Sequence, residues 1–354
     1  MENMVNLSFF SGKKVFLTGH TGFKGVWLCR ILQTAGAEVY GYSLGSPTEP
    51  SLFNIVHLDR HMCSTLGDIR DFKTLQTAFL HAEPEIVFHL AAQPLVRESY
   101  RAPVDTYETN VIGTVNLLEC VRHSNTVRSV VNVTTDKVYR NNEWAWGYRE
   151  NDALDGYDPY SNSKSCSELI THSYAGSFLS NNGISVSTAR AGNVIGGGDF
   201  AQDRIIPDCI RAALRGTPIA VRNPSSTRPY QHVLEPLFAY LLIAMKQYNN
   251  PQYADWYNIG PDDCDCVTTG ELVTAFCSAW KEGCTWEQHG EEGPHEAHFL
   301  KLDSSLIKSK LGWAPRWHIE EAVQRTCEWT KIWMSGADPL AALDAQIDAY
   351  LELL

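Results

Sequence analysis

Thr18-Gly19-His20-Thr21-Gly22-Phe23-Lys24-Gly25 stands between an apolar run at residues 15–19 and helical periodicity over residues 24–35, which ends at Gly36. Glycines three apart permit a tight turn, close approach of the backbone to a pyrophosphate, and close packing of helix on strand. The N–H groups opening the helix then face the anion. The spacing is G-x-x-G-x-x-G and departs from the G-x-G-x-x-G of ordinary dehydrogenases. Strand, glycine turn and helix in this order predict a dinucleotide-binding half, with Gly19, Thr21, Gly22, Phe23 and Gly25 against the cofactor.

Working outward, residues 39–44, 86–92 and 130–135 are further runs rich in β-branched residues and apolar on both faces. Such runs suit parallel strands buried between two layers of helices. Helical patterns lie between them at residues 72–81 and 104–122. The alternation predicts an α/β fold, a Rossmann-type doubly wound parallel sheet. Asp158 and Pro159 read as the cap and first residue of another helix, with Leu169, Ile170, Tyr174 and Phe178 as its apolar face. A strand at residues 186–195 runs into Gly196-Gly197-Gly198.

Beyond that point the pattern loosens. Short strands (219–222, 256–259, 298–302) mix with helices (205–214, 233–247, 270–280, 320–333). The reading divides the chain into a nucleotide-binding domain, 1–192, and a smaller mixed substrate domain, 193–354, with some segments returning to the first.

Two clusters in the first half carry chemistry. Tyr160 and Lys164 are four apart on the helix begun at Asp158, so both project from one face. A phenol ionises near pH 10 and is a poor base at neutrality, and a nearby ammonium favours its phenolate. Thr134-Thr135-Asp136-Lys137 falls where the strand at 130–135 ends, the edge at which open α/β sheets present their chemistry. An acid near the end of the second strand ordinarily holds the ribose hydroxyls of NAD; this chain has Ser43 there, which leaves NAD and NADP both open. Asp68-Ile69 offers an acceptor for the adenine amino group, with a solvated loop acid as the alternative reading of Asp68.

A net charge of −12 argues against general affinity for nucleic acid or anionic membrane. The best apolar run, residues 237–245, is half a membrane span, and the first residues lack a signal pattern, so a cytoplasmic protein is expected. Ten cysteines show no framework spacing. Cys264, Cys266, Cys277 and Cys284, near His295 and His298, lack paired C-x-x-C form; buried reduced thiols and no metal are expected.

Together the turn at 18–25, His89-Leu90-Ala91-Ala92-Gln93, Thr134–Lys137 and Tyr160–Lys164 resemble the extended short-chain dehydrogenase/reductase family over nearly the whole chain. Residues 19–25, 135–137, 146–150, 190–199, 228–232 and 295–298 are most similar to the branch of that family that dehydrates CDP-glucose. Relatives acting on dTDP and GDP sugars carry Glu where this chain has Lys137, and Tyr230 stands where Trp is expected. The resemblance implies bound NAD, a homodimer built on the helices at 104–122 and 158–178, and a role in deoxysugar biosynthesis. Leu90, Ala91, Ala92 and Gln93, with Tyr160 and Lys164, would complete the cofactor site. Tyr160 would take the proton of the sugar 4-hydroxyl, with Thr135 on the 4-oxygen and Asp136 as acid to the 6-hydroxyl. Lys137 would replace the glutamate that removes the C5 proton, which it can do only when neutral. Arg204 and Arg228 are the candidates to clasp the diphosphate, and Asn193 and His295 to contact the substrate. A 4-epimerase of the same fold has no use for Asp136-Lys137, and a non-catalytic nucleotide-binding protein would need neither Tyr160 nor Lys164.

Overall fold

Strand β1 (Lys14–Thr18) is buried at every position after its first, because helices cover both faces of the sheet it centres. This is seen in a computed structural model that describes residues 5–290 and 298–354. The other strands are β2 (Glu38–Ser43), β3 (Cys63–Leu66), β4 (Ile86–His89), β5 (Ser129–Val133), β6 (Ser185–Ala191) and β7 (Trp256–Ile259). They pair in the order β7-β6-β5-β4-β1-β2-β3, every pairing parallel. The order reverses between β1 and β4, so a crevice opens beyond the carboxyl ends of those two strands.

The longer helices are α1 (Phe23–Thr34), α2 (Phe72–Ala82), α3 (Gly113–Arg122), α4 (Pro159–Tyr174), α5 (Ile205–Arg215), α6 (Leu234–Asn249), α7 (Thr269–Trp280), α8 (Ile319–Met334) and α9 (Pro339–Leu351). One face of the sheet packs on α1 and α6 and the other on α2 and α3, giving two apolar cores. A third core lies in the C-terminal half among α5, α7 and α8. Among the described residues no helix is long and apolar enough to cross a membrane.

Helix α4 starts as its sequence implies, with the Asp158 carboxylate accepting from the Ser161 N–H at 2.9 Å and Pro159 in the first turn. Of its expected apolar face, Ile170 and Tyr174 pack against the second core, but the fully buried positions are mostly polar. Ser161, Ser163, Lys164, Ser165, Ser167, Glu168 and Thr171 point inward, while Leu169 and Phe178 are exposed. The small hydroxyls let α4 approach the neighbouring helical run closely, and each finds a partner. Asn110 Nδ2 donates to Ser163 Oγ at 2.9 Å, and Asn132 Nδ2 to Thr171 Oγ1 at 2.8 Å.

Three expectations change. Residues 63–66 form an edge strand, which carries no apolar run because it is largely exposed. Residues 256–259 do form a strand, but it joins the main sheet beside β6, where Tyr257 and Ile259 are buried. Within 298–302 there is no regular strand, only bridges from Phe299 to Thr227 and from Leu302 to Tyr148. The thiols are free but not all buried: Cys63 and Cys264 are exposed, and Cys277 and Cys284 touch at 3.1 Å. Cys264, Asp265 and His318 bring ligand atoms within 4.8 Å of one another. Asp265 already has a structural duty there, accepting from the Ile319 N–H that opens α8 at 2.9 Å.

Candidate active site

The glycine turn is sterically committed. Gly19 has φ +81°, and a Cβ on it would lie 2.8 Å from the Ala91 nitrogen. On Gly25 a Cβ would fall 2.1 Å from the Gly19 carbonyl oxygen. At Gly22 the nearest atom would be 3.4 Å away, and Gly22 opens α1 without a side-chain cap. The first N–H groups of α1 thus face open space, an anion cradle fitted to a dinucleotide diphosphate. Thr21 Oγ1 lies 2.9 Å from Ser43 Oγ and donates to the Leu44 carbonyl at 3.0 Å, closing the rim.

From this turn a cleft of about 1420 Å³ runs between the two halves of the chain. Leu90, Ala91, Ala92, Asp68 and Ile69 line it, as do Tyr160 and Lys164. Asp68 is held by Arg70, which donates at 2.7 Å. Gln93 is not among the lining residues. Its side chain bonds Leu95 on both sides and the Thr106 hydroxyl, so it shapes the loop after β4.

At the carboxyl end of β5 the chain places its reactive groups together. Thr135 hydrogen-bonds Tyr160 and donates to Asp136 Oδ1 at 2.9 Å. Asp136 is wholly buried, and its Oδ2 has no hydrogen-bond partner among the described residues. Lys137 Nζ lies 3.5 Å from Asp136 Oδ1 and donates to Asn193 Oδ1 at 3.2 Å. Asn193 therefore meets the cluster by holding Lys137. Lys164 donates to the Val133 carbonyl at 2.9 Å.

Burial dominates the titration of these groups. It pushes Tyr160 up to about 12, against the Thr135 hydrogen bond, which lowers it, and with Asp136, which raises it. It brings Lys164 down to about 8, opposed by the Glu168 carboxylate one turn further along α4. The ammonium of Lys164 is engaged by the Val133 carbonyl, and Thr135 and Arg204 are the groups that pull the phenol down. Burial thus outweighs the groups that favour the phenolate in this cleft.

Two residues that sequence reasoning passed over belong to this cluster. Lys24 lines the cleft; burial brings it to about 7, with Arg204, Lys164 and Lys137 pushing the same way and Asp136 opposing. Its signal was present, since a cation in the first turn of a helix opposes the positive end of the macrodipole. Glu168 accepts from Thr134, from Thr188 Oγ1 at 2.7 Å and from Arg190 Nη2 at 2.9 Å, all in the interior. Its signal was its place four residues beyond Lys164 on the same face.

The proposed substrate side is only partly free. Arg204 lines the cleft and is tied to Asp199 at 3.0 Å. Arg228 also lines it, nearly buried, and donates to the Thr227 carbonyl at 2.9 Å. His295 lies outside the described residues.

A glycine turn opening a parallel sheet, with a tyrosine and a lysine one helical turn apart beside it, defines a dinucleotide-binding enzyme of the extended short-chain dehydrogenase/reductase type. The chain belongs to the family described as GDP-mannose 4,6 dehydratase, whose model matches residues 16–326. It is 48% identical to the CDP-glucose 4,6-dehydratase of Salmonella typhimurium, over 98% of this chain and 99% of that one. Among solved structures it resembles the dTDP-glucose 4,6-dehydratase of Bacillus anthracis in complex with NAD. The TM-score is 0.76 at 22% identity, covering 92% of this chain and 99% of that one. An epimerase from Methanothermobacter thermautotrophicus gives 0.82 at 21% identity, covering 93% and 95%. These two likenesses speak for the fold.

Proposed function

We propose that the protein is a CDP-glucose 4,6-dehydratase, a lyase that converts CDP-D-glucose to CDP-4-dehydro-6-deoxy-D-glucose and water. The observation that carries this reading is the cluster of Thr135, Asp136 and Lys137 at the end of β5, joined to Tyr160 through Thr135. An acid and a second basic group beside the tyrosine suit removal of water, which a 4-epimerase does not perform. The likeness to the Salmonella enzyme along the full chain supports the nucleotide named.

Bound along the glycine turn, NAD supplies a hydride acceptor for the first stage and a hydride donor for the last. Gly19, Gly22 and the opening N–H groups of α1 would hold its diphosphate, and Tyr160 and Lys164 would meet its nicotinamide end. Tyr160 receives the proton of the sugar 4-hydroxyl, and Thr135 orients both oxygens. Once C4 is a ketone the C5 hydrogen is acidic. Lys137 removes that proton while Asp136 protonates the departing 6-hydroxyl, so water leaves across C5 and C6. As C6 takes the hydride back, the proton held by Lys137 returns to C5 and the ketone stays at C4; the proton gained by Tyr160 makes good the one Asp136 gave to the departing water, through the Thr135 hydroxyl that bonds both.

Because the hydrogen removed from C4 goes back to the same sugar, the reaction is redox neutral. Substrate deuterated at C4 should give product deuterated at C6, read by mass spectrometry and proton NMR, with no net build-up of reduced nicotinamide. Label lost to released cofactor would mark a dehydrogenase instead.

Tyr100, Val104, Ile112, Leu169 and Phe178 are exposed on the helical run before β5, on α4 and on the turn that follows it. Val104 is 68% and Leu169 53% exposed, more apolar surface than a monomer's two adjacent helices ordinarily leave to water. These helices form the homodimer contact. Sedimentation at micromolar concentration should give twice the 39.6 kDa chain mass, and Leu169→Glu should shift it to one.

A further inference from the structure

Beyond Arg204, seen from Tyr160, the cleft carries a second charged group. Asp203 Oδ1 lies 3.7 Å from Arg222 Nη2 and 3.9 Å from Arg97 Nη1, and all three residues line the cleft. Arg204 acts on Tyr160, whereas Arg222 and Asp203 both act on Asp208 in the first turn of α5. Arg222 follows the short strand Ile219–Val221, whose Ala220 and Val221 also line the cleft and offer a wall for a flat ring. Asp203 has φ +59°, a left-handed backbone that non-glycine residues adopt at a cost and that gathers at functional sites. At 3.7 Å the two side chains are loosely paired, with room for a third partner to bond both.

A nucleotide-linked sugar that puts its sugar at Tyr160 and its diphosphate near Arg204 carries its base outward, toward this pair. Cytosine presents two neighbouring acceptors, O2 and N3, and then a donor, the N4 amino group. Arginine offers two parallel donors and a carboxylate an acceptor, the complement of that edge. Uracil and thymine put a donor at N3 against the guanidinium and an acceptor at O4 against the carboxylate, so both contacts turn repulsive. We infer that Arg222 and Asp203 are the residues that read the base, selecting cytosine through this donor, donor, acceptor edge, with Arg97 holding Asp203 in place. The inference rests on the reading of the substrate as a cytidine nucleotide.

Calorimetric titration of the full chain with CMP and UMP separates base reading from catalysis. The wild type should prefer CMP by on the order of a hundredfold, as sites built to hydrogen-bond a base discriminate against a mismatched edge. Asp203→Asn keeps the left-handed backbone and turns the acceptor into an amide that also donates, so the preference should fall by roughly tenfold or more. Arg222→Met should weaken CMP by about tenfold or more and leave UMP within about twofold. Inorganic pyrophosphate should bind all three proteins alike. Equal loss for both nucleotides, together with loss for pyrophosphate, would make the pair a diphosphate clamp and overturn the inference, as would an unchanged preference. Turnover of CDP-glucose by the wild type is measured separately: its absence would sink the proposed function while a CMP preference abolished by these variants would still establish the base-reading pair.

Discussion

Tyr160→Phe should lower turnover of CDP-glucose by roughly a hundredfold to ten-thousandfold, the range associated with loss of a positioned proton-transfer group. Only the phenolic oxygen is removed. The ring stays in the cleft wall, and the glycine turn and Lys164 are untouched, so affinity for NAD should change by no more than a few-fold and the melting temperature by little. Rapid mixing should show that the first oxidation of the sugar, followed as nicotinamide absorbance, is the stage that disappears. Turnover near that of the wild type would remove Tyr160 from the scheme.

The pH dependence gives the same residue a second test. Burial holds Tyr160 at about 12 and Lys164 at about 8 in the ligand-free cleft. The working form needs a phenolate beside an ammonium, the minority arrangement for that order of values. Below about 8 the ammonium is constant and phenolate grows about tenfold per pH unit, so kcat/KM should climb with that slope. Above about 8 each gain in phenolate is offset by loss of ammonium, and the profile should level. In Tyr160→Phe the rising limb should vanish.

What the sequence made legible was whatever depends on local pattern. The glycine turn, the β-branched runs and the cap at Asp158 each follow from a few adjacent residues, and the structure has them in place, though β4 stops at His89, three residues before its run ends. The edge strand at 63–66 escaped because an exposed strand has no reason to be apolar. The strand at 256–259 was visible but its partner was not, since nothing local tells residues 256–259 that they lie beside β6. Helix α4 shows the same limit in energetic form. Leu169 faces outward and four serines inward, because much of the inner face is set by hydrogen bonds to Asn110 and Asn132 far along the chain. The site divides likewise. Tyr160 and Lys164 are four apart and could be paired on paper, whereas Lys24 stands out there only as a cation in a helix's first turn, and the fold alone brings it beside Arg204 and Asp136.

Lys137→Ala should stop the reaction at a different place. Tyr160, Thr135 and Lys164 remain, so oxidation at C4 should proceed, and the 4-keto-glucose nucleotide should accumulate together with reduced nicotinamide absorbance. Product formation should fall by on the order of a hundredfold or more, and exchange of the C5 hydrogen with solvent deuterium should fall with it. The geometry offers Lys137 two roles. Its Nζ donates to Asn193 and lies 3.5 Å from Asp136, so it can serve as a fixed cation beside the developing enolate. A neutral Lys137, with Asn193 keeping the nitrogen in place, can instead take the C5 proton itself. Lys137→Arg divides the two, because a guanidinium keeps the charge but holds its proton at any pH the enzyme tolerates. If Lys137 is the base, the arginine variant should stall as the alanine variant does, with the intermediate bound and no C5 exchange. Elimination at a tenth of the wild-type rate or faster, roughly the loss expected from imperfect placement of a retained charge, would leave the proton to another acceptor. Lys137 would then be the cation that stabilises the enolate.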